Sequence, residues 1–100
     1  MDTFWVAVAG QDCVQFLGRY STRLRLMHLK DLRRGARTRV LPGQAPATDS
    51  DAVGSGSLEW SAILKAAQSA GIESYYVEDE SPAAITQTPK SLDYLRRLEL

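Results

Sequence analysis

Three side chains able to ligate a metal ion stand far apart in this 100-residue chain: Asp2, His28 in the apolar run Leu26-Met27-His28-Leu29, and Glu78 behind Tyr75-Tyr76-Val77. If their segments are parallel strands of one sheet, all three side chains reach the same carboxyl end, the rim on which such folds assemble their sites. One imidazole with carboxylate oxygens suits a hard or borderline divalent ion, Mn²⁺, Mg²⁺ or Co²⁺ in preference to Zn²⁺, and leaves positions for substrate oxygens. A cation held there polarises a carbonyl and stabilises the enediolate formed when a base removes the adjacent proton, which is how sugars are isomerised or epimerised. Singly, each residue has a plainer reading. A lone histidine in an apolar strand is ordinarily a hydrogen-bonded core residue. Glu78 opens the acidic run Glu78-Asp79-Glu80, and an aspartate at position 2 is ordinarily solvated. The combination is what points to a metal.

Other groups carry weaker signals. Alternation along the second strand places Lys30 on the face of Leu26 and His28, with Asp31 next in the chain. Eight of the twelve basic residues fall between Arg19 and Arg39: Arg19, Arg23, Arg25, Lys30, Arg33, Arg34, Arg37 and Arg39. That excess suits phosphate groups or a nucleic-acid backbone. Tyr20 is the only aromatic interleaved with it, however, so a solvated basic loop is the favoured reading. Gly54-Ser55-Gly56, ahead of a helix, offers backbone N–H groups to an anion without the rest of a phosphate-loop or dinucleotide signature. Cys13 lies in a first helical turn that would acidify it, yet no base accompanies it, and packing is the default.

The elements that must position these residues follow from pattern. Thr3 to Val8 is β-branched and aromatic and reads as a strand. Asp12 caps a short amphipathic helix through Cys13, Phe16, Leu17 and Tyr20. Leu24, Leu26, Met27 and Leu29 read as a strand packed on both faces. Leu32 to Ser57 is rich in Arg, Pro and Gly and reads as a long loop, uncommon in a compact domain and well placed to cover a site. Ser57 caps a helix with the stripe Trp60, Ile63, Leu64, Ala67 and Ala70, which Gly71 stops. Glu73 to Val77 is a short strand in which Tyr76 and Glu78 share a face. Thr88 and Pro89 open a last helix through Leu92, Leu95 and Leu98. Strand, helix, strand, helix, strand, helix implies right-handed crossovers and a parallel sheet. Three such strands alone cannot bury both faces.

Hydrophobic residues at 44% and charged residues at 24% describe one globular domain at most, with a modest core. Twelve basic and twelve acidic residues cancel, so net charge draws the chain to neither nucleic acid nor anionic membrane. The single cysteine excludes an internal disulfide and suits a reducing cytoplasm. The longest apolar run, Phe4 to Ala9, falls far short of the roughly 20 residues of a membrane span, and no basic segment precedes it as in a secretory leader. A soluble cytoplasmic protein is expected.

Short motifs in fixed order give these readings a frame. They are Asp-Thr-Phe-Trp at 2–5, Ala-Gly-Gln-Asp at 9–12, Arg25 followed by His-Leu-Lys-Asp at 28–31, and Val-Gly-Ser-Gly-Ser-Leu-Glu-Trp at 53–60. Ala-Gly at 70–71, Tyr-Val-Glu-Asp at 76–79 and Ser-Leu-Asp-Tyr-Leu at 91–95 continue the series. Over almost its whole length the chain resembles the C-terminal part of the xylose isomerase-like TIM barrels, the sugar phosphate isomerase/epimerase group. The resemblance implies that residues 1–100 are one partial α/β domain, the last three βα units, or slightly less, of a (β/α)₈ barrel of ~250 residues. It makes Asp2 the end of the sixth barrel strand, with His28 on the seventh and Glu78 on the eighth, all three as metal ligands. Glu78 would also exchange protons with substrate, and Lys30 would contact it. Relatives complete the site with another glutamate from an earlier strand, which this chain does not contain. Trp5 stands where some epimerases carry histidine. The resemblance also makes Thr3 to Val8 the segment after a strand that begins upstream of Met1, against its propensity, and that is the reading preferred here.

The expected function is therefore a divalent-metal-dependent sugar or sugar-phosphate isomerase or epimerase. By itself the 100-residue chain is expected to be inactive, needing the rest of the barrel or self-association to cover an exposed sheet edge. Two alternatives stay open. One is a non-catalytic barrel remnant or a nucleic-acid-binding module akin to abasic-site endonucleases, using the Arg19 to Arg39 cluster; the other is a keto-inositol dehydratase relying on the same cation.

Overall fold

Asp2 and Asp12 both take extended backbone and turn a carboxylate oxygen onto the amide three residues on, Trp5 N at 3.1 Å and Gln15 N at 2.9 Å. Each thereby caps a helix by satisfying an otherwise orphaned N–H. The helices are α1 (Thr3–Val8) and α2 (Cys13–Tyr20) in the computed structural model, which describes residues 1–100. Helix α1 corrects the strand that propensity alone gave Thr3 to Val8 and agrees with the preferred reading of this stretch as the segment after a strand. Thr3, Phe4, Ala7 and Val8 recur at helical spacing and are the buried residues of the segment. The cap and that buried stripe outweigh a β propensity whose whole range is only about 1 kcal/mol.

Strand β1 (Leu26–Leu29) pairs in parallel with β4 (Ser74–Val77), in a register running from Leu26 opposite Ser74 to Leu29 opposite Val77. On the other side of β1, Asp2 makes an isolated parallel bridge to His28, whose N–H donates to the Met1 carbonyl at 2.8 Å. Three segments thus lie side by side in the order Asp2, β1, β4. The first contributes a bridge where a full strand was expected.

Packing on both faces of β1 is not observed. Met27 and Leu29 are buried against α2 and α3 (Trp60–Ser69) in a core completed by Cys13, Leu17, Val53, Trp60, Ile63, Leu64, Ala67 and Ile72. The opposite face is open, with Leu26 45% and Tyr76 54% exposed. The reason is that α2 and α3 cover one side of the sheet, and no element lies over the other.

The stretch from Leu32 to Ser57 is ordered. β2 (Asp31–Leu32) and β3 (Ser50–Asp51) form an antiparallel ladder, and short 3₁₀ turns occupy Pro42–Gln44 and Ala47–Asp49. Asp49, Ser50, Ala52 and Val53 are buried. Ser57 is not the cap of α3; its hydroxyl donates to the Leu32 carbonyl at 3.1 Å, and Glu59 fills the cap position without a side-chain bond. Gly71 ends α3 as expected, with φ +78° in the left-handed region that favours glycine.

The last helix, α4 (Ala84–Arg97), begins before the expected Thr88-Pro89 start and carries Pro89 inside it, while Leu98 lies just past its end. Ser81, with its Oγ accepting from Ala83 N at 3.2 Å, orders the approach to it. Ser91 explains where α4 docks. Its buried hydroxyl accepts from Val53 N at 2.8 Å and donates to Gln87 O at 3.2 Å, pinning the helix to the 52–58 loop. No helix is long and apolar enough to cross a membrane.

Candidate metal centre

Asp2, His28 and Glu78 meet on the open side of the sheet. Parallel pairing sets this up: Asp2 bridges to His28, and Glu78, one residue beyond β4, donates its N–H to the Leu29 carbonyl at 3.1 Å. His28 Nδ1 lies 3.1 Å from Glu78 Oε2 and 3.8 Å from Asp2 Oδ2, and the three ligand atoms all lie within 4.8 Å of one another. The imidazole points away from the layer of helices, with its ring 6.1 Å from that of Tyr76.

Bonds of about 2.1 Å at right angles put neighbouring ligand atoms about 3 Å apart, so small rotations of these side chains would let them share one divalent cation. Asp2 adds an electrostatic reason. Burial pushes its carboxyl above the usual 3.8, and Glu78 acts in the same direction; the Trp5 N–H, Lys30 and His28 offset this only in part. A desolvated carboxylate beside a second carboxylate is relieved by a cation. The three side chains named from the sequence are thus brought together in one cluster.

Lys30 is close by, though not in the cluster. Its side chain is 1% exposed, and its ammonium lies 4.7 Å from the centre of the Phe4 ring and 5.4 Å from that of Trp5. Glu80 Oε1 is 3.1 Å away, but the approach is not aligned for hydrogen bonding and the ammonium has no hydrogen-bond partner. The backbone beneath is fixed by Thr3, whose Oγ1 donates to Lys30 O at 2.8 Å and accepts from Lys30 N at 3.0 Å. These contributions of Thr3, Phe4 and Glu80 escaped the sequence reading. The helical spacing of 3, 4, 7 and 8 was the signal that would have aimed the N-terminal segment at the end of β1.

Asp31 answers the question left by Gly54-Ser55-Gly56. The anion these amides receive is internal. Gly54 N at 2.9 Å, Gly56 N at 3.1 Å and Trp60 Nε1 at 2.7 Å donate to Asp31 Oδ2, while Leu32 N at 2.8 Å and Leu58 N at 3.2 Å donate to Oδ1. The buried carboxylate thus shapes the loop over which α4 packs. Glycine is required at position 56, where a Cβ would run into the Leu32 carbonyl and the Asp31 carboxylate.

The remaining signals separate. Of the eight clustered basic residues only Lys30 is buried; the seven arginines are exposed, and Arg33 is paired with Asp49 at 2.7 Å. Cys13 is buried with its thiol 3.5 Å from the Thr3 carbonyl. Burial, assisted by the negative charges of Asp12, Asp2 and Asp31, pushes that thiol up to about 12, the reverse of acidification by a helix terminus. The chain matches no protein-family model and no curated protein.

Proposed function

We propose that this chain is the last three βα units, or slightly less, of a xylose isomerase-like (β/α)₈ barrel, and that Asp2, His28 and Glu78 hold a divalent cation for sugar isomerisation or epimerisation. One observation carries the reading: three ligand atoms from sequence-distant residues, on or next to neighbouring parallel segments, gather within 4.8 Å. The open face bearing Leu26, His28 and Tyr76 supports it, because that face would line a closed barrel's interior.

Bound at this rim, the cation would supply Lewis-acid polarisation of a substrate carbonyl. The chain's own groups have distinct tasks. Asp2, held by the Trp5 N–H, has a fixed orientation and serves as an anchoring ligand. Glu78, partly exposed and 3.1 Å from His28, is the group that takes a proton from the carbon next to that carbonyl and returns it. A return on the other face of the substrate needs a second carboxylate opposite Glu78, so turnover is not expected of these 100 residues by themselves. The lone buried thiol accords with a reducing, cytoplasmic setting.

Thermal unfolding of the full chain with Mn²⁺ tests the metal site. A tenfold excess over Kd stabilises by roughly 1.4 kcal/mol, a shift of several degrees for a domain of this size. His28→Ala and Glu78→Gln, both partly exposed positions, should fold and lose the shift. An equal Mn²⁺ response in His28→Ala would refute the centre.

A further inference from the structure

The arginine-rich stretch that follows β2 is not a slack loop. β2 and β3 pair at its base, where Arg33 N donates to Asp49 O at 2.8 Å, so residues 33–49 leave and rejoin the molecule as an arm. Ala36 and Val40 pack on the small core of Phe4, Ala7, Val8 and Leu32, and Arg39 N donates to Val8 O at 2.6 Å. Arg39 takes φ +59°, a left-handed conformation that a residue other than glycine keeps only when its surroundings fix it. Just beyond, Leu41 is 70% exposed, and its N–H donates to Gln44 Oε1 at 3.0 Å, which holds the turn at the tip. The arm thus presents Arg34, Arg37 and Arg39, all exposed and none ion-paired, with an unburied leucine beside them. We propose that this arm docks the protein on an anionic membrane surface, the arginines on lipid phosphates and Leu41 in the acyl boundary.

Local charge carries the attraction, since the net charge is zero. Between Cys13 and Thr48 the only acidic residue is Asp31, whose carboxylate is buried and bonded internally. Asp49, which follows, is buried and paired with Arg33 at 2.7 Å. The field of the other three arginines is therefore not cancelled on the arm itself. Arginine's planar fork takes a phosphate bidentately. That property would suit a nucleic-acid backbone as well, and two observations favour lipid. No aromatic side chain lies between Arg33 and Gln44, so unpaired bases would have nothing on the arm to stack on. Leu41 gains nothing from a phosphate backbone, whereas a bilayer removes it from water. Basic residues together with an inserted apolar side chain supply the two signals that surface anchoring takes. Each arginine near such a surface is worth roughly fivefold in affinity, and burial of the leucine about tenfold or more. The inference does not depend on whether Asp2, His28 and Glu78 hold a cation.

Flotation of the full chain with phosphatidylcholine vesicles containing about 30% phosphatidylglycerol tests the docking, because self-associated protein sinks and is not counted as bound. The chain should float with these vesicles, stay behind with phosphatidylcholine alone, and be released at about 0.5 M NaCl. Arg34→Gln combined with Arg37→Gln should weaken binding roughly twentyfold, and Leu41→Ser roughly tenfold. All three side chains are exposed, so these variants should keep the fold. Arg19→Gln combined with Arg23→Gln removes the same charge ahead of the amino end of β1 and should leave binding unchanged. An equal loss in that second pair, equal binding to phosphatidylcholine alone, or undiminished binding by Leu41→Ser would overturn the proposal. So would flotation with neither vesicle. Tighter binding to a DNA duplex, unaffected by Leu41→Ser, would also overturn it and assign the arginines to a nucleic-acid backbone.

Discussion

Asp31 accepts from four backbone amides and one indole while almost fully enclosed, so its removal leaves several buried donors unmatched at once. Breaking such a network costs more than one bond. Asp31→Ala should destabilise the chain by about 3–5 kcal/mol in urea unfolding, and a loss under about 1 kcal/mol would mean that solvent already serves those amides. Cys13 gives a second residue-scale expectation. Its folded pKa, about 12, lies above the ordinary 9.0. The protonated thiol therefore favours the fold, and this contribution is complete below pH 9.0 and lost as pH climbs toward 12. A thiol reagent at neutral pH should accordingly label Cys13 only in denaturant. Rapid native-state labelling would contradict the burial.

At the scale of elements, glycine has opposite meanings in α2 and in the loop before α3. Gly18 sits within α2 with open space where a Cβ would go. Gly18→Ala should therefore stabilise by about 0.5–1 kcal/mol through helix propensity. Gly56 is buried with the Leu32 carbonyl and the Asp31 carboxylate where a Cβ would go. Gly56→Ala should cost about 1–3 kcal/mol, since backbone and carboxylate would both have to shift. Thermal melts of the two variants in parallel check this, and equal effects would argue against the close packing of Gly56 on Leu32 and Asp31. Motifs that look like an anion-binding turn were legible in the sequence; that the anion is the chain's own Asp31 was not, because 23 residues separate Asp31 from Gly54 and no local rule joins them.

For the whole molecule, only 22 of 100 residues are buried, and the sheet is covered on one face. Leu26 and Tyr76 on the open face are joined by unpaired strand-edge groups on β4, the combination through which sheets recruit further chains. Sedimentation should show concentration-dependent self-association, moved toward monomer by the double substitution Leu26→Ser, Tyr76→Ser. A chain that stays monomeric at high concentration would remove the open face as support for a barrel origin.

The sequence by itself determined the elements whose cause is local. The Asp12 cap with its apolar stripe defined α2, Gly71 terminated α3, and the apolar runs marked β1 and β4. It also singled out Asp2, His28 and Glu78 by residue type, because imidazole and carboxylate chemistry does not depend on the fold. Tertiary structure decided whatever depended on contacts between distant segments. The burial of one face of residues 3–8 made a helix of a segment with strand-like content, and Pro89 was carried inside α4, whose Ser91 is anchored by Val53. The loop from 32 to 57 gained order from one carboxylate at position 31. Parallel pairing around His28 set Asp2 and Glu78 on either side of one imidazole. Caps and periodicity act within a few residues and can be read along the chain, whereas pairing register and burial are long-range terms that exist only once the segments have met.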